Sequence, residues 1–262
     1  MQIFAGIKKE NLELFKTYRI IAFVGGFMFT AILNPFLFWM LPQIGAALGV
    51  TEIALFNTNQ YTAIAGFISD SLQTGILVMA ISMTRAAGGD QKNKTCVIPL
   101  VLGFSRKNYV LAKFAVYPLY AFLTAMFSFV TAYGISYFLF RDKVSFLNFF
   151  PNVISLCVLV AFAVILTLSL GCMTGKGGLS AITVIMLFTF IEPLLSGLQI
   201  NRYNPLALAR IAREVEGNSG FIQTSSGTIN YTEMSLCILI TAVISTILIL
   251  LTAYVFKNKR IA

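Results

Sequence analysis

Few residues of this chain could carry chemistry, and two of them are carboxylates inside long apolar segments. Asp70 lies in a polar cluster with Gln73 and Thr74, and Glu192 is followed by Pro193. A carboxylate within a membrane span is costly, so it marks a functional site or stays protonated and hydrogen-bonded to its neighbours. The functional interpretation places Asp70, Gln73 and Glu192 on a transport path, and the structural interpretation stays open beside it.

Other residue types that commonly carry catalysis are absent or scattered. The chain has no histidine, which removes the commonest general base and metal ligand. Its four cysteines have no metal-type spacing and are interpreted as structural thiols: Cys96, Cys157, Cys172 and Cys237. We therefore expect a non-catalytic chain that holds no metal and no cofactor of its own.

A glycine-rich segment, GCMTGKGG at residues 171–178, has the look of a phosphate loop but departs from it twice. The spacing from Gly171 to Gly175 is one residue short, and Gly177 replaces the hydroxyl residue that would hold magnesium. No strand precedes the segment. The sequence predicts a flexible turn here and no nucleotide binding.

The elements that must position these residues are membrane-spanning helices. The chain is 58% hydrophobic and only 11% charged, against about 25% charged residues in soluble domains. Each of six apolar stretches has the roughly 20 residues needed to cross a bilayer as a helix, and none alternates as a barrel strand would. Residues 20–262 are thus predicted to be one all-α domain with six transmembrane helices. The stretches are Ile20–Leu41, Tyr61–Met83, Phe114–Phe140, Val153–Met173, Leu179–Ile200 and Met234–Phe256.

The positive charge of the chain is distributed unevenly between the two sides of such a bundle. With the N-terminus inside, the inner segments hold 14 of the 19 Lys and Arg residues and the outer segments hold five. This is the bias that orients membrane spans. It predicts that both termini lie in the cytosol, and it explains the net charge of +9 without a nucleic acid partner. The expected location is the plasma membrane.

Residues 1–19 precede the first span and are predicted to form an amphipathic helix. Phe4, Ile7, Phe15 and Tyr18 fall near one stripe of that helix, and charged residues surround the rest. Such a helix would lie in the plane of the membrane interface, with its cations toward anionic head groups. The alternative is a simple basic flank that orients the first span.

Residues 201–233 form the longest segment predicted on the outer side. Its first half has helix-like spacing at Leu206, Ala209, Ile211 and Val215. A helix that dips back toward the outer membrane face and a surface loop are both compatible with this pattern.

Residues 84–113 form the longest segment predicted on the cytosolic side. They carry six cations against one anion, Asp90, and an apolar island lies in their middle at residues 96–104. A plain hydrophilic loop would not need that island. An apolar patch rimmed by cations suits a short helix that docks on the surface of a partner.

Three motifs, taken in this order, resemble the ABC-2 type permeases, which are the membrane subunits of ABC exporters of the type V fold. The amphipathic segment IKKENLELFKTYR leads into the first span. The loop then runs from Asp90 through Thr95 and VIPLVLGFSR to Lys113, and the third motif is FKNKRI at residues 256–261. Three departures concern the loop: Lys94 replaces the usual glycine, Asp90 alone remains of the acidic cluster, and Pro99 comes early.

The resemblance implies a division of labour between chains. The loop would form a coupling helix that rests on a separate ATP-binding subunit, present in two copies, and a second permease subunit would complete the translocation path. ATP and magnesium would bind to the partner. The substrate of the exporter would be amphipathic or apolar, such as a peptide, a drug or a lipid-like compound. The docking residues implied are Asp90, Lys92, Lys94, Thr95, Val97, Ile98, Pro99, Leu100, Ser105 and Arg106.

Two other classes of function stay open at this point. An ion-coupled carrier or channel would use Asp70 and Glu192 without an ATPase. A membrane scaffold or immunity protein would transport nothing. An exporter subunit differs from both because it should co-purify with an ATPase.

Overall fold

The computed structural model describes residues 2–49, 58–93, 96–101, 103–141, 143–197, 203–215 and 231–258. Within these ranges every secondary-structure element is a helix, and there is no strand. Six of the helices are long and apolar enough to cross a membrane. The predicted all-α class is therefore confirmed for these residues, and the number of helices long enough to span matches the six predicted.

Nine α-helices follow one another along the described chain, and two of the spans contain π-helical turns. The third helix has π turns at Ser71–Gly75 and Arg85–Gly89, and the seventh has one at Leu187–Ile191. A short 3-10 helix, Phe146–Phe149, precedes the sixth. The helices are α1 (Gln2–Lys16), α2 (Arg19–Ala47), α3 (Gln60–Lys92), α4 (Val97–Val101), α5 (Arg106–Leu139), α6 (Phe150–Thr174), α7 (Gly177–Met186, continued to Glu192–Gly197), α8 (Ala207–Arg213) and α9 (Tyr231–Asn258).

The basic stretch at residues 84–113 is mostly helix and not a long loop. Helix α3 continues to Lys92 and α5 begins at Arg106, so only a short connection containing α4 lies between them. The helices extend past the apolar stretches, and within these extensions Asp90 and Lys113 pair with each other inside the bundle. Hydropathy alone ends a span at its first charge and cannot anticipate such a pair.

Helix α6 is the centre of the bundle. It packs against α5, α9, α7, α8 and α3, and its buried residues lie on nearly every side. Aromatic rings close the core at the far end from the chain termini, where Phe129 lies 5.8 Å from Phe146 and 6.3 Å from Phe149 between ring centroids. Helix α9 packs mainly on α6 and α5 and leaves most of its apolar surface exposed.

The turn between α6 and α7 is tightly packed, which the predicted flexible turn did not anticipate. Gly175 has a φ of +74° and accepts the left-handed conformation that ends α6. A Cβ on Gly177 would meet the Thr84 carbonyl oxygen at 1.7 Å, and one on Gly88 would meet the Gly177 nitrogen at 2.4 Å. The glycines therefore serve the close approach of this turn to α3.

Helix α1 forms as predicted, but a different stripe anchors it. Gly6, Glu10 and Leu14 are buried against α5, and a Cβ on Gly6 would lie 3.0 Å from Ala112. The predicted apolar stripe, with Phe4 77% and Tyr18 72% exposed, faces outward. That arrangement suits a helix lying on a bilayer, and its in-plane position stays a prediction.

Candidate functional site

The end of the bundle that carries α1 and the last turn of α9, here called the terminal face, contains a buried ion pair. The Lys113 ammonium is 1% exposed and donates hydrogen bonds to the Asp90 carboxylate and, at 2.7 Å, to the Ala86 carbonyl oxygen. The Tyr109 hydroxyl donates to the same carboxylate at 3.1 Å, and the ammonium lies 5.0 Å from the Tyr109 ring centroid. Helices α3 and α5 are thus joined by a desolvated charge pair.

Two carboxylates of α1 extend this cluster. The Tyr117 hydroxyl donates to Glu10 at 3.1 Å and accepts a hydrogen bond from the Arg19 guanidinium at 3.2 Å. Arg19 also pairs with Glu13 at 3.2 Å, and Lys9 pairs with Glu10 at 3.0 Å. We call the whole set the polar cluster, which comprises Lys9, Glu10, Glu13, Arg19, Asp90, Tyr109, Lys113 and Tyr117.

Sequence reasoning identified Asp90 and Lys113 as loop residues and missed the polar cluster. One feature of the sequence could have indicated the polar cluster. Arg19 and Lys113 flank apolar spans, and the segments next to those spans contain carboxylates and tyrosines that could pair with them. Charges that flank spans usually face the solvent, so only tertiary contacts distinguish these from ordinary flanking cations.

Helix α4 is tied to the polar cluster on one side and exposed on the other. The Cys96 backbone N–H donates to the Asp90 carbonyl oxygen at 3.3 Å, and Cys96 and Pro99 are buried. The Phe104 ring lies 3.4 Å from the position that a Cβ would take on Gly6. Phe104, which follows α4, therefore contacts α1. The Val101 side chain, in contrast, is 78% exposed.

The predicted docking residues divide into buried and exposed groups. The buried Asp90 faces the interior of the chain and holds the polar cluster, whereas Lys92 is exposed. The Ser105 hydroxyl accepts from the Asn108 N–H at 3.2 Å and so caps α5, and Arg106 donates to the Lys257 carbonyl oxygen at 3.1 Å. Val97 is half-buried. Lys94 and Thr95 lie outside the described residues, and so do the side chains of Ile98 and Leu100.

Asp70 belongs to a polar contact between α2 and α3. The Asn34 amide donates to Asp70 Oδ2 at 3.0 Å and to the Thr30 carbonyl oxygen at 3.1 Å. The Thr30 and Ser71 hydroxyls lie 3.1 Å apart. Sequence reasoning did not single out Thr30 and Asn34, although polar residues four apart in an apolar span fall on one helical face and could have drawn attention.

This contact lies within the spans, in the half farther from the terminal face. At about 1.5 Å per residue, Asp70 lies about 22 Å along α3 from Arg85, and Asn34 the same distance along α2 from Arg19. Both positions fall inside a hydrocarbon layer about 30 Å thick. Asp70 is nevertheless exposed on the surface of the chain, in a stripe between α2 and α7 that continues through Gln73, Thr74 and Leu77.

Glu192 lies in a different environment from Asp70. Its side chain is 1% exposed, and its two oxygens accept hydrogen bonds from the Arg213 guanidinium at 2.9 and 2.8 Å. This bidentate pair joins α7 to α8. The structure does not place the Glu192 carboxylate on the exposed stripe of Asp70 and Gln73, and a role for it on a transport path stays a prediction.

Helix α8 decides between the two interpretations of residues 201–233. Ala207, Leu208, Ile211 and Ala212 are buried, and the helix packs against α6 and α9. At its end the fully buried Asn152 amide donates to the carbonyl oxygens of Ile211, Ala212 and Glu214, at 3.2, 3.2 and 2.9 Å. The described part, Ala207–Arg213, is therefore a helix folded back onto the bundle. Residues 216–230 lie outside the described part of the chain.

The described residues thus form an all-helical bundle with six helices long and apolar enough to span a membrane, and its terminal face holds a buried polar cluster. Neither the models of known protein families nor the curated proteins give a match to this sequence.

Proposed function

We propose that this chain is the permease subunit of an ATP-binding cassette exporter. The observation that carries the proposal is α4, a short helix that exposes an apolar side chain outward and is bonded inward to the polar cluster. An exposed valine in a segment flanked by cations in the sequence suits docking on another protein. A buried charge cluster behind it suits the transfer of movement into the spans.

The contacts of α4 give a route for that movement. A shift of α4 would act on Asp90 through the Cys96 N–H, and on α1 through the contact between Phe104 and Gly6. The ion pair of Asp90 with Lys113 then connects α3 to α5. Since the buried ion pair is costly to separate, these helices would move as one unit. ATP-driven closure of two ATP-binding subunits would supply the force.

In this proposal the terminal face is cytosolic and the protein lies in the plasma membrane. The excess of cations in segments that reach this face supports that orientation. Two copies of the ATP-binding subunit would bind ATP and magnesium, and α4 of each permease subunit would rest on one of them. The predicted contacts of Lys92, Lys94, Thr95, Val97, Ile98 and Leu100 belong to this interface.

A second permease subunit would cover the stripe that contains Asp70 and Gln73. A carboxylate and an amide at this depth are poorly accommodated by lipid, so they face protein or water. The second subunit can be an identical copy or a paired permease. The stripe would then line a path for an amphipathic or apolar substrate between the two subunits.

The docking role of α4 is tested by replacing Val101 with aspartate. We expect the tagged wild-type chain, purified from its own membranes in mild detergent, to retain an ATPase. The variant should retain at most about a tenth of the associated ATPase activity. Burying a carboxylate in an apolar interface costs about 1.4 kcal/mol or more of binding free energy, which is about a tenfold loss of affinity. Thermal unfolding should be unchanged, because the Val101 side chain is 78% exposed.

Leu147→Asp is the matched control for this experiment. Leu147 is 74% exposed, close to the 78% of Val101, and lies at the opposite end of the bundle. It should keep the associated ATPase. A wild-type chain that purifies without any ATPase would contradict the exporter proposal. Retention of the enzyme by Val101→Asp would contradict the role of α4 alone.

The path role of Asp70 is tested by Asp70→Asn, with Leu77→Ala on the same stripe as a steric control. If the stripe lines the path of an exporter, Asp70→Asn should change substrate transport several-fold while transport still requires ATP. Proteoliposomes with a controlled pH gradient and ATP supply distinguish the classes. Transport that follows the pH gradient without ATP, and is lost in Asp70→Asn, would instead support the ion-coupled carrier.

A further inference from the structure

We infer that a cavity at the terminal face binds the phosphate group of an anionic ligand. This basic cavity lies where the end of α3 meets the turn between α6 and α7. It has a volume of about 610 Å³, and an adjoining cavity of about 430 Å³ shares Lys92 and three glycines of the turn with it. Lys92 also belongs to the proposed docking interface, but anion binding here does not depend on the transport function, and the test below measures binding alone.

Charge is the first argument for the site. Arg85, Lys92 and Lys176 line the two adjoining cavities, and none of the lining residues is a carboxylate. Within the described part of the chain, the three cations form no salt bridge. Asp90, the nearest acid along the sequence, is buried and paired with Lys113. Three like charges around one opening repel one another, and a bound anion would relieve this.

The start of α7 is the second argument. The residue before this helix, Lys176, offers no side-chain hydrogen bond to the first turn, and Gly177, Gly178 and Leu179 line the cavity. Their backbone N–H groups are those that a helix leaves without internal partners. They add partial positive charge on the same side as the three cations.

The glycines of the turn explain how the backbone reaches this position. Gly88 and Gly177 allow the turn to lie directly against α3, which brings Arg85 and Lys92 next to the start of α7. Gly178, in contrast, has open space where a Cβ would be. The site differs from a nucleotide-binding loop, because no strand precedes it and no hydroxyl residue is positioned for magnesium.

The position of the site favours a lipid phosphate as one source of the anion. Arg85 and Lys92 lie toward the end of one span, and Lys176 directly precedes another, which is the level of lipid head groups. Basic pockets between spans are known to bind anionic head groups. Free inorganic phosphate shares the same chemistry, and the experiment below separates the two sources.

The test uses the full chain purified in neutral detergent, titrated separately with phosphatidylglycerol, phosphatidylcholine and inorganic phosphate. Binding is read by native mass spectrometry and by the shift in unfolding temperature. We expect phosphatidylglycerol to bind at least about tenfold more tightly to the wild type than to the triple variant Arg85→Gln, Lys92→Gln, Lys176→Gln, since each cation near an anionic head group contributes about a fivefold change. If inorganic phosphate alone shows this difference, the ligand is a free phosphate.

The matched control is the triple variant Lys8→Gln, Lys16→Gln, Lys257→Gln. It removes the same charge from exposed residues in segments at the terminal face. It should keep at least half of the wild-type affinity. Equal losses in the two triple variants would show a diffuse electrostatic effect and overturn the inference, as would the absence of binding by both phosphatidylglycerol and phosphate.

Gly178→Asp keeps the inference falsifiable if the triple variant does not fold. Its carboxylate would enter the open space at the first turn of α7, where a negative charge also stabilises a helix. The variant should unfold at or above the wild-type temperature and yet lose the stabilisation by phosphatidylglycerol or phosphate. Gly178→Asn, which lacks the charge, should lose less of that stabilisation. Unchanged ligand stabilisation in Gly178→Asp would overturn the inference.

Discussion

Asp90→Asn is expected to lower the free energy of unfolding by about 3–5 kcal/mol. The substitution leaves the Lys113 ammonium buried, with the Ala86 carbonyl oxygen and the Tyr109 ring as its remaining described contacts. A buried charge without its counter-ion loses the attraction but retains the whole cost of desolvation. Unfolding by increasing mole fractions of SDS in mixed micelles, followed by circular dichroism, measures the difference.

Removal of both charges should be less harmful than removal of one. The double variant Asp90→Leu, Lys113→Met should recover at least half of the loss, because an apolar pair of similar volume needs no desolvation. Lys107→Met is the control on the same helix, since Lys107 is exposed, and should change stability by about 0.5 kcal/mol or less. Equal stability of Asp90→Asn and the wild type would show that the ion pair does not hold the terminal face.

The reactivity of the Cys96 thiol should show the effect of Asp90→Asn on α4. Burial raises the pKa of the Cys96 thiol, and the neighbouring Asp90 carboxylate raises it further. A raised pKa keeps the thiol protonated at neutral pH, and the wild type should therefore react slowly with a maleimide. Asp90→Asn removes the negative charge and loosens α4, so labelling at neutral pH should become several-fold faster. Cys96→Ser identifies the labelled residue, and this result would connect α4 with the polar cluster.

Glu192→Gln is expected to cost about 3 kcal/mol, at the lower end of the range for buried pairs because Arg213 is 18% exposed. Glutamine can still accept one hydrogen bond, but it removes the charge that balances the guanidinium across α7 and α8. The same SDS titration measures the loss. Limited proteolysis should show earlier cleavage in residues 203–215, since α8 would detach from α7 more often.

Two further variants separate the ion pair from a transport role for Glu192. The exchanged pair Glu192→Arg, Arg213→Glu should restore at least half of the lost stability if attraction between the helices is what matters. Arg210→Gln is the control on α8, because Arg210 is 30% exposed and its pairs with Glu214 and Glu233 should contribute about 1 kcal/mol or less. Loss of transport with full stability in Glu192→Gln would instead support the predicted path.

Some features of this protein follow from the sequence alone because they depend on composition summed over whole segments. A span requires about 20 apolar residues wherever its neighbours lie. The six apolar stretches therefore predicted six helices, and the structure confirms them. The spacing of Leu206, Ala209 and Ile211 was compatible with a helix and with a surface loop, and the structure shows the helix α8. The apolar island at residues 96–104 likewise predicted the short helix α4 with an exposed apolar side.

The pairing of polar groups was decided only by the tertiary structure. Asp90 and Lys113 lie 23 residues apart in the sequence and meet because α3 packs against α5. The packing of α2 on α3 likewise brings Asn34 to Asp70, and that of α7 on α8 brings Glu192 to Arg213. Each residue alone is compatible with a solvated loop, a transport path or a buried bond. Its role depends on which partner lies within about 3 Å. The sequence therefore determined that the chain has six helices long and apolar enough to span a membrane, and packing decided which of its charges hold the bundle together and which stay exposed.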